Sequence, residues 1–374
     1  MDPASYLHPV IVKESEFSGN LPSKVIFNNN KKFPGEELVE GNIALLGLPY
    51  FFSKEQCPNN ITTNIRNELY KLSKPKNLEC TIIDLGDLIK GKTLKDTLIG
   101  LKEIISYLRE KNVLTIVFGG SSIYNLGILK AFNSKVNYNA IEPDFDTLKN
   151  LLESKFLDLN MVDYSHLGYQ SYFLSEQITR LFEDHANWDK NRLGYLRSDL
   201  KETEPLLRNS DFCSISINSL KYSEAPAQEE IQPNGFYSEE ICQIAQYAGI
   251  SDSTSIVSIF DALGTKEKNG QTGKLISQII WFIINGYSSR ITEDPQKDEH
   301  IKKFIVDIEK HSIIFYKSEK TERWWMDIPS INDNKNHIMP CTYKDYLYAT
   351  NQEFPEKWMK FYKKINFNNK AANH

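Results

Sequence analysis

A chain of 374 residues with 40% hydrophobic and 12% aromatic side chains carries enough apolar surface for one large packed core. Its 44 basic and 49 acidic side chains give a formal charge of −5, which excludes the basic footprint that binding to a phosphate backbone requires and removes nucleic acid from the expected partners. The start, Met1-Asp2-Pro3-Ala4-Ser5-Tyr6, has neither a basic nor an apolar signal region, and the longest apolar stretch, Leu275 to Ile284, is too short to cross a bilayer. Five scattered cysteines (Cys57, Cys80, Cys213, Cys242, Cys341) form no CxxC pair and suit small buried thiols kept reduced, so a soluble cytoplasmic protein without a transmembrane segment is expected.

Residues 1 to 40 read as a polar N-terminal extension, with Asn28-Asn29-Asn30-Lys31-Lys32 as a solvated loop. Periodicity starts at Ile43 to Leu48, a continuous apolar run of the kind that forms a buried parallel strand. A helix over Thr62 to Leu72, a strand over Cys80 to Gly86, an amphipathic helix over Thr93 to Glu110 and a β-branched strand over Val113 to Phe118 follow in turn. That strand runs into Gly119-Gly120, and Ser122 to Phe132 is again helical. Further strands are predicted at Val136 to Ile141, Leu157 to Val162, Leu193 to Leu196, Phe212 to Leu220 and Ser255 to Phe260, with helices at Glu176 to Phe182, Ser238 to Ala248 and Thr272 to Gly286. About eight strands separated by helical crossovers imply a three-layer αβα sandwich around a mostly parallel sheet, because parallel neighbours need a connection long enough to be a helix. The expected organisation is an extension at 1–40, an α/β domain at 41–300 and an aromatic-rich extension at 301–374, whose Trp324, Trp325, Tyr343, Tyr346, Trp358, Phe361 and Tyr362 are expected to bury against the outer helices of the same domain.

Several short motifs fall in a telling order. Cys57-Pro58 precedes Ile65-Arg66-Asn67-Glu68-Leu69-Tyr70, then come Asp84-Leu85-Gly86-Asp87, Gly119-Gly120-Ser121-Ser122, Ile141-Glu142-Pro143-Asp144-Phe145-Asp146, Ser214 to Asn218, and Ala225-Pro226 through Gly235 to Glu240. From about Gly41 to Gly286 this arrangement resembles the ureohydrolases, the family of arginase, agmatinase and formimidoylglutamase, and in particular a divergent arginase-like member. The resemblance implies the fold above and a cleft where two divalent ions, typically manganese, activate a bridging water for attack on an amidine or guanidine carbon. Ser121-Ser122 stands where the family has Asp-His, Glu142, Asp144 and Asp146 where it has Asp-His-Asp, and Ser216 and Asn218 where it has two aspartates.

Of the six ligand positions only Asp146 keeps the family's residue. The carboxylate count falls from four to three, and all three acids lie on one strand end at i, i+2 and i+4, on one side if that segment stays extended. The facing strand offers neutral Ser216 and Asn218, and both histidine donors are lost, so a dinuclear cluster is not expected. A single magnesium-like or calcium-like cation held by Glu142, Asp144 and Asp146 is the fallback, against the plainer reading of a partly solvated acidic cluster with raised pKa values or one paired with a Lys or Arg. Glu240 matches the acid that receives the substrate's guanidinium in arginase and equally suits the first turn of a helix. Ser121 and Ser122 fit an N-cap better than an anion site. His166 is expected to be structural.

These readings point to a catalytically degenerate ureohydrolase-fold protein, a pseudoenzyme acting as a binding or scaffolding module, with Ser121, Ser122, Glu142, Asp144, Asp146, Ser216, Asn218 and Glu240 lining the inherited pocket and no catalytic residue. No cofactor is expected, and the partner is another protein or a second copy of the chain. The alternative is a metal-dependent hydrolase of linear amidines or guanidines that uses manganese or another divalent cation at an altered site.

Overall fold

The structure is a computed structural model, and it describes residues 3–10, 12, 17–29, 33–49, 60–154, 158, 162–185, 188–228, 230–263, 266, 269–309, 311–330 and 336–367. Expectations at Met1-Asp2, Asn30 to Lys32, Cys57-Pro58, Leu157 and residues 159–161 lie outside the described residues.

Ten strands form the main sheet: β1 (Leu7–His8), β2 (Val25–Phe27), β3 (Ile43–Leu48), β4 (Ile82–Leu88), β5 (Leu114–Gly119), β6 (Val136–Ile141), β7 (Val162–Tyr169), β8 (Asp189–Arg192), β9 (Phe212–Ser216) and β10 (Ile256–Phe260). Their order is β1-β4-β3-β5-β10-β9-β6-β7-β8, with β2 also on β4, and every pairing is parallel except β1 on β4. The buried positions of the central strands are mostly apolar on both sides, because helices cover both, with Thr115, Ser214 and Ser258 as buried polar exceptions. One layer holds α1 (Asn60–Leu69), α8 (Ser238–Ile250) and α9 (Gln271–Tyr287), packed on Ile116, Phe118, Ile215, Val257 and Ile259. The other holds α2 (Leu94–Glu110), α3 (Asn125–Lys130), α4 (Asp146–Glu153) and α5 (Glu176–Asp184), packed on Val117, Tyr138, Ala140, Phe212 and Phe260.

Three local expectations are corrected. The segment 1–40 is no free extension: β1 and β2 pair with β4, and Asn28 is buried, its Nδ2 donating to Leu85 O at 2.8 Å. Leu193 to Leu196 begins a helix, α6 (Leu193–Ser198), because its buried residues recur every third position rather than every second; the strand there is the polar edge Asp189–Arg192 just before it. Of the strand expected over Leu157 to Val162 only Asp158 and Val162 are described, and a strand continues from Val162 to Tyr169, burying aromatic and polar side chains, Tyr164 and His166, where no strand was expected.

The tail builds a second sheet from β11 (Ile301–Ile308), β12 (His311–Ser318), β13 (Trp324–Pro329) and β14 (Asn336–Cys341), antiparallel throughout and covered by α10 (Tyr343–Thr350) and α11 (Glu356–Phe367). Its rings bury largely against one another, with Trp324 stacked on Tyr346 at 5.0 Å and Trp358 on Tyr362 at 4.8 Å, rather than on the outer helices of the main sheet. Polar contacts fasten it to the short helices after β8, including α7 (Thr203–Leu207): Arg208 Nη1 donates to Trp324 O at 2.8 Å, Arg323 pairs with Glu204 at 3.2 Å, and Lys357 with the buried Glu202 at 2.9 Å.

Candidate functional site

In a parallel sheet the carboxyl ends of the strands open onto the usual ligand crevice. Here β5, β10, β9 and β6 stand side by side at that end, and they deliver Gly119-Gly120, Asp261, Ser216 and Glu142. The turn after β5 depends on its glycines. Both have positive φ (84° and 66°), and a Cβ on Gly120 would lie 2.6 Å from the Tyr124 ring.

Asp261, the residue directly after β10, organises this end of the sheet. It sits at φ 69°, a left-handed conformation that an aspartate adopts only when its surroundings hold it there. Its backbone N–H donates to Gly120 O at 3.1 Å, its Oδ1 accepts from the Ser122 N–H at 2.7 Å, and its Oδ2 accepts from the Ser216 hydroxyl at 2.6 Å. Sequence reasoning missed it. An acid at the carboxyl end of a central strand is a positional signal that was available to find it. The same contacts correct the expected role of Ser121: it holds the N-cap position, but its buried hydroxyl makes no cap bond, and Asp261 satisfies the exposed N–H from across the crevice.

The acidic run does not stay extended. β6 stops at Ile141, and by Asp146 the chain is already in α4, so Glu142, Asp144 and Asp146 part company. Glu142 turns inward and is buried, with neither carboxyl oxygen in a well-formed hydrogen bond. Burial pushes its pKa well up, the Thr147 hydroxyl opposes that, and the nearby Asp144 and Asp261 add to it. Asp144 is half-buried and raised to about 6, chiefly by burial, while its Oδ1 accepts from the Asp146 N–H at 3.0 Å. Asp146 is exposed and paired with Lys149 at 2.6 Å.

The opposite wall changes in the same way. β9 ends at Ser216, whose Oγ accepts from the Asn218 N–H at 3.2 Å and turns the chain into a single 3-10 turn over Ile217–Ser219. The predicted strand to Leu220 therefore stops four residues early, and Asn218 points its Oδ1 to the Glu230 N–H at 3.2 Å. Behind Glu142, the buried His166 accepts from the Tyr164 hydroxyl at Nδ1 (2.7 Å) and donates from Nε2 to Glu142 O (3.2 Å) in its neutral form. Burial lowers its pKa to about 3, which the Glu142 carbonyl partly opposes.

Glu240 lies in the first turn of α8, where the helix reading puts it, and its contacts are with groups of the chain itself. One oxygen accepts from the Tyr237 N–H at 2.9 Å, and the other takes the guanidinium of Arg197 at 3.0 Å. Arg197 also lies over the Tyr237 ring at 4.7 Å, and Lys221 bonds the Tyr237 hydroxyl at 2.6 Å and lowers its pKa.

A manganese pair needs several carboxylates and imidazoles converging on one point. The donors present do not fit. Glu142 is held towards its neutral form, Asp146 is turned out onto Lys149, and Asp261 is taken up by Ser122 and Ser216. Among the described residues no three His, Cys, Asp or Glu side chains come together in a way that could hold an ion.

Superposed on solved structures, the chain matches formimidoylglutamase from Bacillus subtilis with a TM-score of 0.60 at 16% identity, over 76% of this chain and 96% of that one. The chain has the arginase-like fold. Formiminoglutamase of Trypanosoma cruzi, solved with manganese, gives a TM-score of 0.59 at 18% identity over 68% and 95% of the two chains, and the agmatine ureohydrolase of Thermoplasma volcanium gives 0.55 at 14% over 70% and 95%. No family model and no curated protein sequence matches the chain. Nearly the whole of each arginase-like neighbour is covered, so the surplus lies in this chain. Among the described residues no helix is long and apolar enough to cross a membrane.

Proposed function

We propose that this arginase-like chain is a catalytically degenerate ureohydrolase-fold protein that serves in the cytoplasm as a binding or scaffolding module, in contact with another protein or with its own copy. The observation that carries this reading is the Asp261 clasp. Hydrogen bonds within the chain join the Ser122 N–H, the Asp261 carboxylate and the Ser216 hydroxyl at the carboxyl end of the sheet, so these three groups are satisfied by each other. The side chains described at this end supply no second means of making a hydroxide. Moving water from pKa 15.7 to about 7 is the service two metal ions perform, roughly 11 kcal/mol in nucleophile availability, and no arrangement of Ser, Asn and a protonated Glu supplies it.

The test is turnover. Purified protein with added manganese is assayed for urea or formamide release from arginine, agmatine and formimidoylglutamate. The reading expects no release above the no-enzyme control, and sustained turnover abolished by a chelator would overthrow it.

A further inference from the structure

The outer edge of the C-terminal sheet is written to pair with itself. β11 is the first strand of that sheet, and among the described residues only β12 pairs with it. Ile305, in its middle, is 68% exposed, the most exposed large hydrophobic side chain among the described residues. The orientation of the backbone follows from the printed pairing. Glu319 N–H donates to His300 O, so His300 faces β12, and alternation along the strand turns Lys302, Phe304, Val306 and Ile308 to β12 as well. Ile314 N–H, which reaches Asp327 of β13, agrees with this, as does Asp307 O, which is free of β12 and accepts from Gln352 Nε2 at 3.0 Å. Lys303, Ile305 and Asp307 therefore present their backbone groups to the outside.

We infer that two copies of this chain associate through β11 in antiparallel register about a two-fold axis at Ile305, so that Ile305 faces Ile305 and Lys303 faces Asp307 in both directions. Only residues whose backbone groups point outward can form the hydrogen-bonded pairs of a new strand junction, which limits the allowed shifts to steps of two. A shift in one direction sets Ile305 against Lys303, and in the other against Asp307. The Ile305-centred register alone matches apolar with apolar and places a lysine opposite an aspartate twice. It also sets Phe304 opposite Val306, extending the apolar side that packs under α10. The existing contacts of these groups are compatible with it. A carbonyl accepts two hydrogen bonds, so Asp307 O keeps Gln352; Asp307 Oδ1 accepts from Ser312 Oγ at 2.6 Å and retains Oδ2; and Lys303 lies loosely over Tyr316 at 5.6 Å. A closed two-fold junction of this kind also removes the exposed edge that would otherwise invite open-ended aggregation.

The experiment is sedimentation equilibrium of the full chain across a micromolar concentration series. The wild type is expected to be a dimer. Lys303→Asp alone and Asp307→Lys alone each place like charges opposite one another twice and should weaken the dimer about tenfold, while the double exchange Lys303→Asp with Asp307→Lys should restore it. Ile305→Lys, at a side chain already in solvent, should weaken it without altering the circular dichroism. A monomeric wild type, a dimer indifferent to Lys303→Asp and to Ile305→Lys, or a double exchange no tighter than either single variant each overturns the inference. None of these readouts depends on metal or turnover, so they stand apart from the test of the cleft.

Discussion

Asp261 combines a left-handed backbone with a carboxylate that accepts from Ser122 and Ser216, so its side chain holds three strand ends in place. Hydrogen bonds to a charged group contribute about 1.5–3 kcal/mol each, so Asp261→Ala is expected to lower unfolding stability by roughly 3 kcal/mol, read by urea titration at pH 7. A loss below about 0.5 kcal/mol would mean that the clasp is ornamental. Glu142 and His166 make a paired prediction with opposite signs. Glu142 has a folded pKa above its ordinary value, so its contribution is complete below about pH 4.5 and is lost as pH rises towards that raised value. His166, lowered to about 3, contributes fully above pH 6.5 and loses that contribution as pH falls to about 3. Relative to wild type, Glu142→Gln should gain stability from pH 5 to pH 8, and the deficit of His166→Gln should shrink as the medium is acidified, by up to about 1.4 kcal/mol for each pH unit in which one proton is exchanged. Urea midpoints across that range check both; parallel pH profiles for all three proteins would contradict them. The Glu142, Asp144 and Asp146 run was plain in the sequence, but its geometry was not, because i, i+2, i+4 spacing points one way only while the chain stays extended, and here a helix begins at Asp146. Asp261 carried a positional signal only, being one acid directly after a mostly apolar central strand.

At the scale of elements, Arg66 ties α1 to β4. Its guanidinium, 2% exposed, donates to both oxygens of the fully buried Asp84 (2.8 and 3.1 Å), to Asp87 (2.6 Å) and to Gly86 O (2.9 Å), and Tyr70 donates to Asp84 as well. Burial alone would lower the Arg66 pKa; Asp84 and Asp87 more than reverse this, and the group stays charged. Arg66→Ala strands a buried carboxylate, and a loss of about 3–5 kcal/mol is expected in urea unfolding at pH 7. A cost under about 1 kcal/mol would show that α1 is held by its apolar face alone. The sequence placed Arg66 and Asp84 in motifs without revealing that they meet, since nothing local connects residues so far apart in the chain. Elements with one dominant signal were legible. Helix α2 has a reciprocal cap, Thr93 Oγ1 accepting from Asp96 N–H and Asp96 Oδ2 from Thr93 N–H, and β3 is an uninterrupted apolar run. The polar edge strand β8 and the mixed aromatic and polar β7 lacked such a signal, and the two N-terminal strands are too short to show a period.

For the whole molecule, the order of weak motifs was enough to indicate the arginase-like fold, because most of them fall on or directly after the strands β4, β5, β6 and β9 of one sheet. The C-terminal sheet was not legible. Its aromatic residues were obvious, yet Trp324 and Trp325 follow one another and β11 opens with two exposed lysines, so alternation is blurred where it is needed. The crevice and the added sheet lie on one chain, the crevice at the carboxyl end of the parallel strands and the antiparallel sheet in the residues that follow them. The central claim concerns the cleft, and manganese stoichiometry tests it most directly. After equilibrium dialysis against excess manganese and removal of loosely bound ion, elemental analysis should find far less than one ion per chain. Two tightly held ions per chain would contradict the account, because Asp146 would have to leave Lys149, Ser216 leave Asp261 and Asn218 turn from the Glu230 N–H to assemble a dinuclear site.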